Sequence, residues 1–131
     1  MADNDIAGRF EYLLDLCRGE EWLEVWTNLQ FSIETFESLG VARDVSDRAL
    51  WEVCQQRQVI LVTGNRNGDG PDSLESTLRS LNTHQCLPVI TLADPERIRN
   101  EKAYALKTAE RLLEYLFDIE NYRGTGRLYV P

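Results

Sequence analysis

Acidic and amide side chains fall in three tight groups along the chain: Asp3 with Asp5, Asp44 with Asp47, and Asn65, Asn67, Asp69 and Asp72 together. Carboxylates brought to one place repel each other, and a divalent cation is the simplest relief. Oxygen donors with no histidine among them suit Mg²⁺ or Mn²⁺. Such an ion orients water and stabilises charge on a phosphate in transfer, alone or as one of a pair about 4 Å apart. The chemistry open to these residues is therefore of phosphodiesterase type, provided the fold carries groups far apart in the chain to one rim.

The elements that would do so can be read from the pattern. Residues 59–63 form an unbroken aliphatic run, Val-Ile-Leu-Val-Thr. A run without alternation suits a strand covered on both faces, as in a parallel sheet. A polar, glycine-punctuated loop over 64–71 follows. Asp72 is then placed as a helix N-cap, with Glu75 completing a capping box and Leu74, Leu78 and Leu81 giving a helical stripe. Strand, loop and helix make half of a βαβ unit, and ligands bind at the loops leaving the carboxyl ends of such strands.

Around that centre, Ile6, Phe10, Leu13, Leu14 and Cys17 recur at helical spacing up to Gly19. Residues 21–26 fit either a helical turn or an extended lead-in. Leu29, Phe31 and Ile33 alternate with polar residues and predict an edge strand. Ser46 is a good N-cap with Asp47 in the first turn, and Leu50, Trp51, Val53 and Cys54 give that helix its buried face. Residues 87–92 predict a strand, and Asp94-Pro95 starts a helix. Ile98, Ala105, Leu106, Ala109, Leu112, Leu113, Leu116 and Phe117 form the longest stripe, broken near Asn100, and residues 127–131 read as a final strand. Only Met1 and Ala2 precede Asp3, so a first strand there is a stub, or the start was mis-set. The expected order is (β)αβαβαβαβ: a single α/β domain over 1–131 with a mainly parallel sheet of about five strands. In a doubly wound sheet the stub and the strand ending at Thr63 would be neighbours at the switch point, which gathers the acidic groups on one rim.

A chain of 131 residues with 43% hydrophobic and 27% charged residues suits one soluble domain. No apolar run approaches the roughly 20 residues of a membrane span, and the amino end has neither a basic start nor an apolar signal core, which points to the cytoplasm. Cys17, Cys54 and Cys86 are odd in number and without a CxxC, so neither a disulfide framework nor a zinc site is indicated. The formal charge of −8 carries no basic footprint for nucleic acid and favours a metal-bound acidic site or a basic partner.

Asp-Asn-Asp near the amino end, Val45-Ser46-Asp47-Arg48-Ala49-Leu50-Trp51 and Ile60-Leu61-Val62-Thr63-Gly64-Asn65-Arg66-Asn67 together resemble the PIN-like superfamily. Short bacterial PIN-like proteins of unassigned function have a tail similar to Glu120-Asn121-Tyr122-Arg123-Gly124-Thr125-Gly126-Arg127-Leu128-Tyr129. The resemblance implies a three-layer α/β/α sandwich. In active relatives it also implies Mg²⁺- or Mn²⁺-dependent ribonuclease activity, often as the toxin of a toxin–antitoxin pair with a basic antitoxin-like protein as partner. Carried over by position, the first metal acid falls on Asp3 and the second on Asp47. The third falls on Asn65, an amide that can coordinate but brings no charge, so that Asp69 or Asp72 would have to supply it.

Plainer roles compete with these. Asn65-x-Asn67-x-Asp69-Gly70 fits the front of a calcium loop, but Ser76 stands where that loop needs glutamate, and a strand rather than a helix precedes it. Asp47 is explained by helix capping and the 65–70 loop by turn chemistry. His84 has no matching nucleophile, and Ser73 lacks a GxSxG elbow. Arg123 and Arg127 could contact a phosphate, with surface salt bridging the ordinary alternative. Two functions therefore stand side by side: a metal-dependent ribonuclease or related phosphodiesterase acting on RNA, and a catalytically silent PIN-like module that binds a protein partner or its own copies.

Overall fold

The computed structural model describes residues 1–65 and 70–131. The chain opens with a 3₁₀ turn, Asn4–Ile6, capped by Asp3, whose carboxylate accepts from the Asn4 N–H. Then come α1 (Ala7–Cys17), α2 (Leu23–Leu29), α3 (Phe36–Leu39), α4 (Asp47–Arg57), β1 (Val62–Thr63), α5 (Leu74–Leu81), β2 (Val89–Leu92), α6 (Pro95–Asn100), α7 (Lys102–Phe117), a 3₁₀ turn Ile119–Tyr122, and β3 (Arg127–Val130). Local chemistry accounts for the helix starts. Ser46 Oγ accepts from the Ala49 N–H, Asp94 caps α6 ahead of Pro95, and Thr35 and Ser38 form a reciprocal capping box on α3.

The sheet runs β1-β2-β3, every pairing parallel, with Val62 opposite Ile90 and Val89 opposite Arg127. Ile90 N–H donates to Leu61 on one edge of the β1 segment. On its other edge the chain start joins by a parallel bridge between Ala2 and Val62. Three bonds hold it: the Met1 ammonium to the Ile60 carbonyl (2.7 Å), Val62 N–H to Met1 (2.8 Å) and Asp3 N–H to Val62 (2.9 Å). The stub expected at residues 1–2 is present, and it delivers Asp3 beside the end of β1.

Strand residues alternate between two apolar clusters, as a period of two requires. Val62, Ile90, Leu92 and Val130 pack with Ile6, Phe10, Leu13 and Leu14, with Ile98 of α6, and with Ala105, Ala109 and Leu112 of α7. Met1, Leu61 and Val89 pack with Phe36 and Leu39, with Leu50, Trp51 and Cys54 of α4, and with Leu74 of α5. The molecule is thus a mixed α/β domain with a small parallel sheet and helices against both faces. No helix among the described residues is long and apolar enough to cross a membrane.

Four expectations are corrected. No strand forms around residues 29–33: Leu29 closes α2, Gln30 turns left-handed at φ 56°, and 31–35 carry no ladder. The ladder accordingly holds three named strands and the bridged stub, not about five among the described residues. The N-cap of α5 is Ser73, whose hydroxyl accepts from the Ser76 N–H, not Asp72. Phe117, assigned to the buried stripe, is 70% exposed at the end of α7.

Candidate acidic site at the carboxyl end of β1

Three elements meet where β1 ends. The bridged stub sets Asp3 next to Thr63, and Thr63 Oγ1 lies 3.4 Å from Asp3 Oδ2. The same fully buried hydroxyl accepts from the Asn65 N–H at 3.0 Å, turning the chain sharply after the strand. Asn65 Nδ2 then donates to Asp47 Oδ2 at 2.9 Å, in the first turn of α4. Asp3, Thr63, Asn65 and Asp47 therefore form one hydrogen-bonded path across three separate stretches of chain. A second tie holds the same surfaces together: Asn4 Nδ2 donates to the Arg43 carbonyl (2.8 Å) and Arg43 Nη1 to Asn4 Oδ1 (3.0 Å), pinning the loop before α4 to the opening turn.

Gly64 is required by close approach. A Cβ there would stand 2.9 Å from Ile6 Cγ2, 3.1 Å from Asp5 Oδ2 and 3.4 Å from Pro95 Cγ. The absent side chain lets the backbone pass between the opening turn and α6. Asp5 is exposed as a residue, yet its carboxyl is sheltered on the side facing Gly64. Its pKa is raised, first by that desolvation and next by the Asp3 charge, with a smaller push from Asp47; hydrogen bonds from the Gly64 and Asp5 backbone N–H groups oppose the rise. Asp3 and Asp47 thus both bear on Asp5 electrostatically.

Asp47 and Asn65, both half-buried, also line an open hollow of about 490 Å³ with Ser46, Gly70, Asp72 and Ser73. Asp72 is exposed on the far wall, tied in through its carbonyl, which accepts from the Arg48 N–H. Asp44 is exposed and does not line the hollow. Asn67 and Asp69 lie outside the described residues. His84 is exposed in the turn ahead of β2, with its backbone close against Gly124, and does not line the hollow. Burial pushes the Cys17 thiol up to about 12 and the Cys54 thiol to about 11, as suits packing rather than reactivity.

Arg127 is the residue whose part the pattern did not reveal. Its side chain is 8% exposed, with Nη1 donating to the Asn65 carbonyl (2.8 Å) and to Thr91 Oγ1 (2.6 Å) and Nη2 lying 2.6 Å from Glu75 Oε1. The contact with Glu75 is close but off the hydrogen-bond direction, which leaves Nη2 and Nε without an acceptor among the described residues. In register with Val89, its side chain rises on the α4–α5 face of the sheet and braces the turn that carries Asn65. Arg123, by contrast, is held by Glu120, Gln85 and Gln58 on the surface.

In kind, the donors fit a hard cation: carboxylate oxygens with no sulfur or imidazole. In spacing they are looser, for no three His, Cys, Asp or Glu side chains among the described residues converge closely enough to hold a metal ion. A separate, more enclosed cavity of about 250 Å³, lined by Phe10, Leu14, Trp26, Phe31, Ile33 and Leu112 among others, includes none of the acidic candidates. No family model, curated protein or solved structure matches the chain.

Proposed function

We propose that the chain is a PIN-like domain, a three-layer α/β/α sandwich acting as a Mg²⁺- or Mn²⁺-dependent ribonuclease or related phosphodiesterase. The observation that carries this reading is the path from Asp3 through Thr63 and Asn65 to Asp47, which joins both ends of the acidic set at the carboxyl end of a parallel strand. Asp3, Asp5 and Asp47 are the groups that would hold the ion, with charge from Asp72 or Asp69 completing the set. A bound Mg²⁺ or Mn²⁺ supplies a Lewis acid and an activated water. Thr63 fixes the rotamer of Asp3. Asn65 holds one oxygen of Asp47 and so leaves the other to bind. RNA is the substrate class, and for a toxin of −8 charge a basic antitoxin-like protein is the matching partner.

One feature favours a second reading, a catalytically silent PIN-like module that binds a protein partner or its own copies. The Asn65 amide satisfies Asp47 without any ion and adds no charge of its own. Cleavage of single-stranded RNA at millimolar Mn²⁺, by the wild type and by Asp47→Asn, separates the two. The nuclease reading expects cleavage that the substitution abolishes. RNA left intact by the wild type selects the module.

A further inference from the structure

Beside the acidic rim, α1 and α6 enclose an open hollow of about 420 Å³ lined by Gly8, Arg9, Tyr12 and Arg99. Both helices lead there from the rim. Arg9 and Tyr12 follow Asp5 at helical spacing, and Arg99 stands four residues after Pro95, which abuts Gly64. The hollow therefore begins with the first turn of α1, just beyond the 3₁₀ turn that carries Asp5.

Neither of its cations is spent in a local helical pair. Arg48, Arg97, Arg111 and Arg123 each close on a glutamate three or four residues away in sequence. Arg99 enters no ion pair among the described residues. Arg9 reaches across to Glu96 at 2.5 Å, but that carboxylate is 67% exposed, so the pair is weak and open to exchange. Arg9 Nε is buried without an acceptor among the described residues. Two guanidinium groups, one outside any ion pair among the described residues and one in an exposed pair, therefore line one space in a chain of net charge −8. A guanidinium binds a phosphate through paired N–H bonds, which a single exposed carboxylate oxygen does not match. Tyr12 adds a ring on which a base can stack. A Cβ on Gly8 would meet nothing within 4 Å, so the floor is clear.

We propose that this hollow is a phosphate site, and that it takes the backbone phosphodiester of a single-stranded polynucleotide next to the one at the acidic rim. The choice of polynucleotide rests on the nuclease reading above. The test is the anisotropy of a dye-labelled oligouridylate with the full chain in EDTA, run over a salt series and beside inorganic phosphate as competitor. Arg9→Gln/Arg99→Gln should weaken binding on the order of tenfold or more, and the log–log salt slope should become shallower by about 0.7 for each phosphate no longer neutralised. Gly8→Glu, which favours the helix while putting a carboxylate into the hollow, should do the same. Glu96→Gln should tighten binding by freeing Arg9.

Unchanged affinity and slope in these variants would overturn the site, as would a wild type that binds no oligonucleotide. Phosphate binding seen by calorimetric titration of inorganic phosphate, with no oligonucleotide binding, would mark a free-phosphate pocket and overturn the polynucleotide assignment. Metal-dependent cleavage with binding unaltered in the variants removes this site and leaves the nuclease reading intact. Variant-sensitive binding without any cleavage does the reverse.

Discussion

Replacing Arg127 by methionine tests how the turn after β1 is held. The substitution keeps the length of the side chain but deletes the donors to Asn65 O and Thr91 Oγ1, and it strands Glu75 beside a position only 8% exposed from which the counter-charge has gone. Removing one partner of a buried pair costs about 3–5 kcal/mol. Glu75 is 30% exposed, and water can recover part of its charge, so we expect roughly 2–4 kcal/mol. At about 4 °C per kcal/mol for a domain of this size, the melting temperature should fall by about 8–16 °C. Urea unfolding followed by circular dichroism gives the free energy, and a double-mutant cycle with Glu75→Gln gives the pairwise part. That coupling should be about 1–3 kcal/mol, because the double variant no longer leaves a lone carboxylate. Arg127→Lys keeps the charge but not the fork and should recover only part of the loss. An Arg127→Met protein within about 0.5 kcal/mol of wild type would show that the turn carrying Asn65 does not depend on this cation.

Two further outcomes bear on the same rim. Because the Asp5 carboxyl titrates above its unfolded value, the folded state binds more protons than the unfolded one just above the ordinary value of 3.8, and stability falls as pH rises through that window. Asp5→Asn removes this penalty, so thermal melts should show the variant more stable than wild type at pH 7, with the gain vanishing below the unfolded pKa; an equal gain at every pH would refute the assignment. Thr63→Val deletes a fully buried hydroxyl that accepts from the Asn65 N–H and lies against Asp3, and denaturant melts should show a loss of about 1–3 kcal/mol. A neutral result there would mean that the path from Asp3 to Asp47 is not structurally coupled.

Much of this rim is legible in the residues themselves. The Ser46 cap, the Asp94-Pro95 start and the interruption near Asn100 depend on a few adjacent side chains, and each stands where local chemistry puts it. The aliphatic run 59–63 announces a covered strand, although only Val62–Thr63 enter the ladder. Asp3 beside Thr63 stands where the doubly wound expectation puts it, the stub taking the free edge of β1. The failures are of another kind. Alternation at Leu29, Phe31 and Ile33 spans too few residues to separate a helix end plus an unpaired extended segment from a strand, because tertiary pairing decides between them. Asp72 and Ser73 are both competent caps one residue apart, and the backbone chose the second. The brace formed by Arg127 joins residues from β3, β2, α5 and the turn after β1, and no local pattern encodes so many distant partners.

The central proposal is that Asp3, Asp5 and Asp47, which share the rim without converging on one point, close on a divalent cation when it is supplied. Calorimetric titration of Mn²⁺ into the wild type, Asp47→Asn and Asn65→Asp at neutral pH addresses it most directly. One saturable site is expected in the wild type, with its loss in Asp47→Asn and tighter binding in Asn65→Asp, where a further carboxylate replaces the amide. No saturable heat in either the wild type or Asn65→Asp would contradict it.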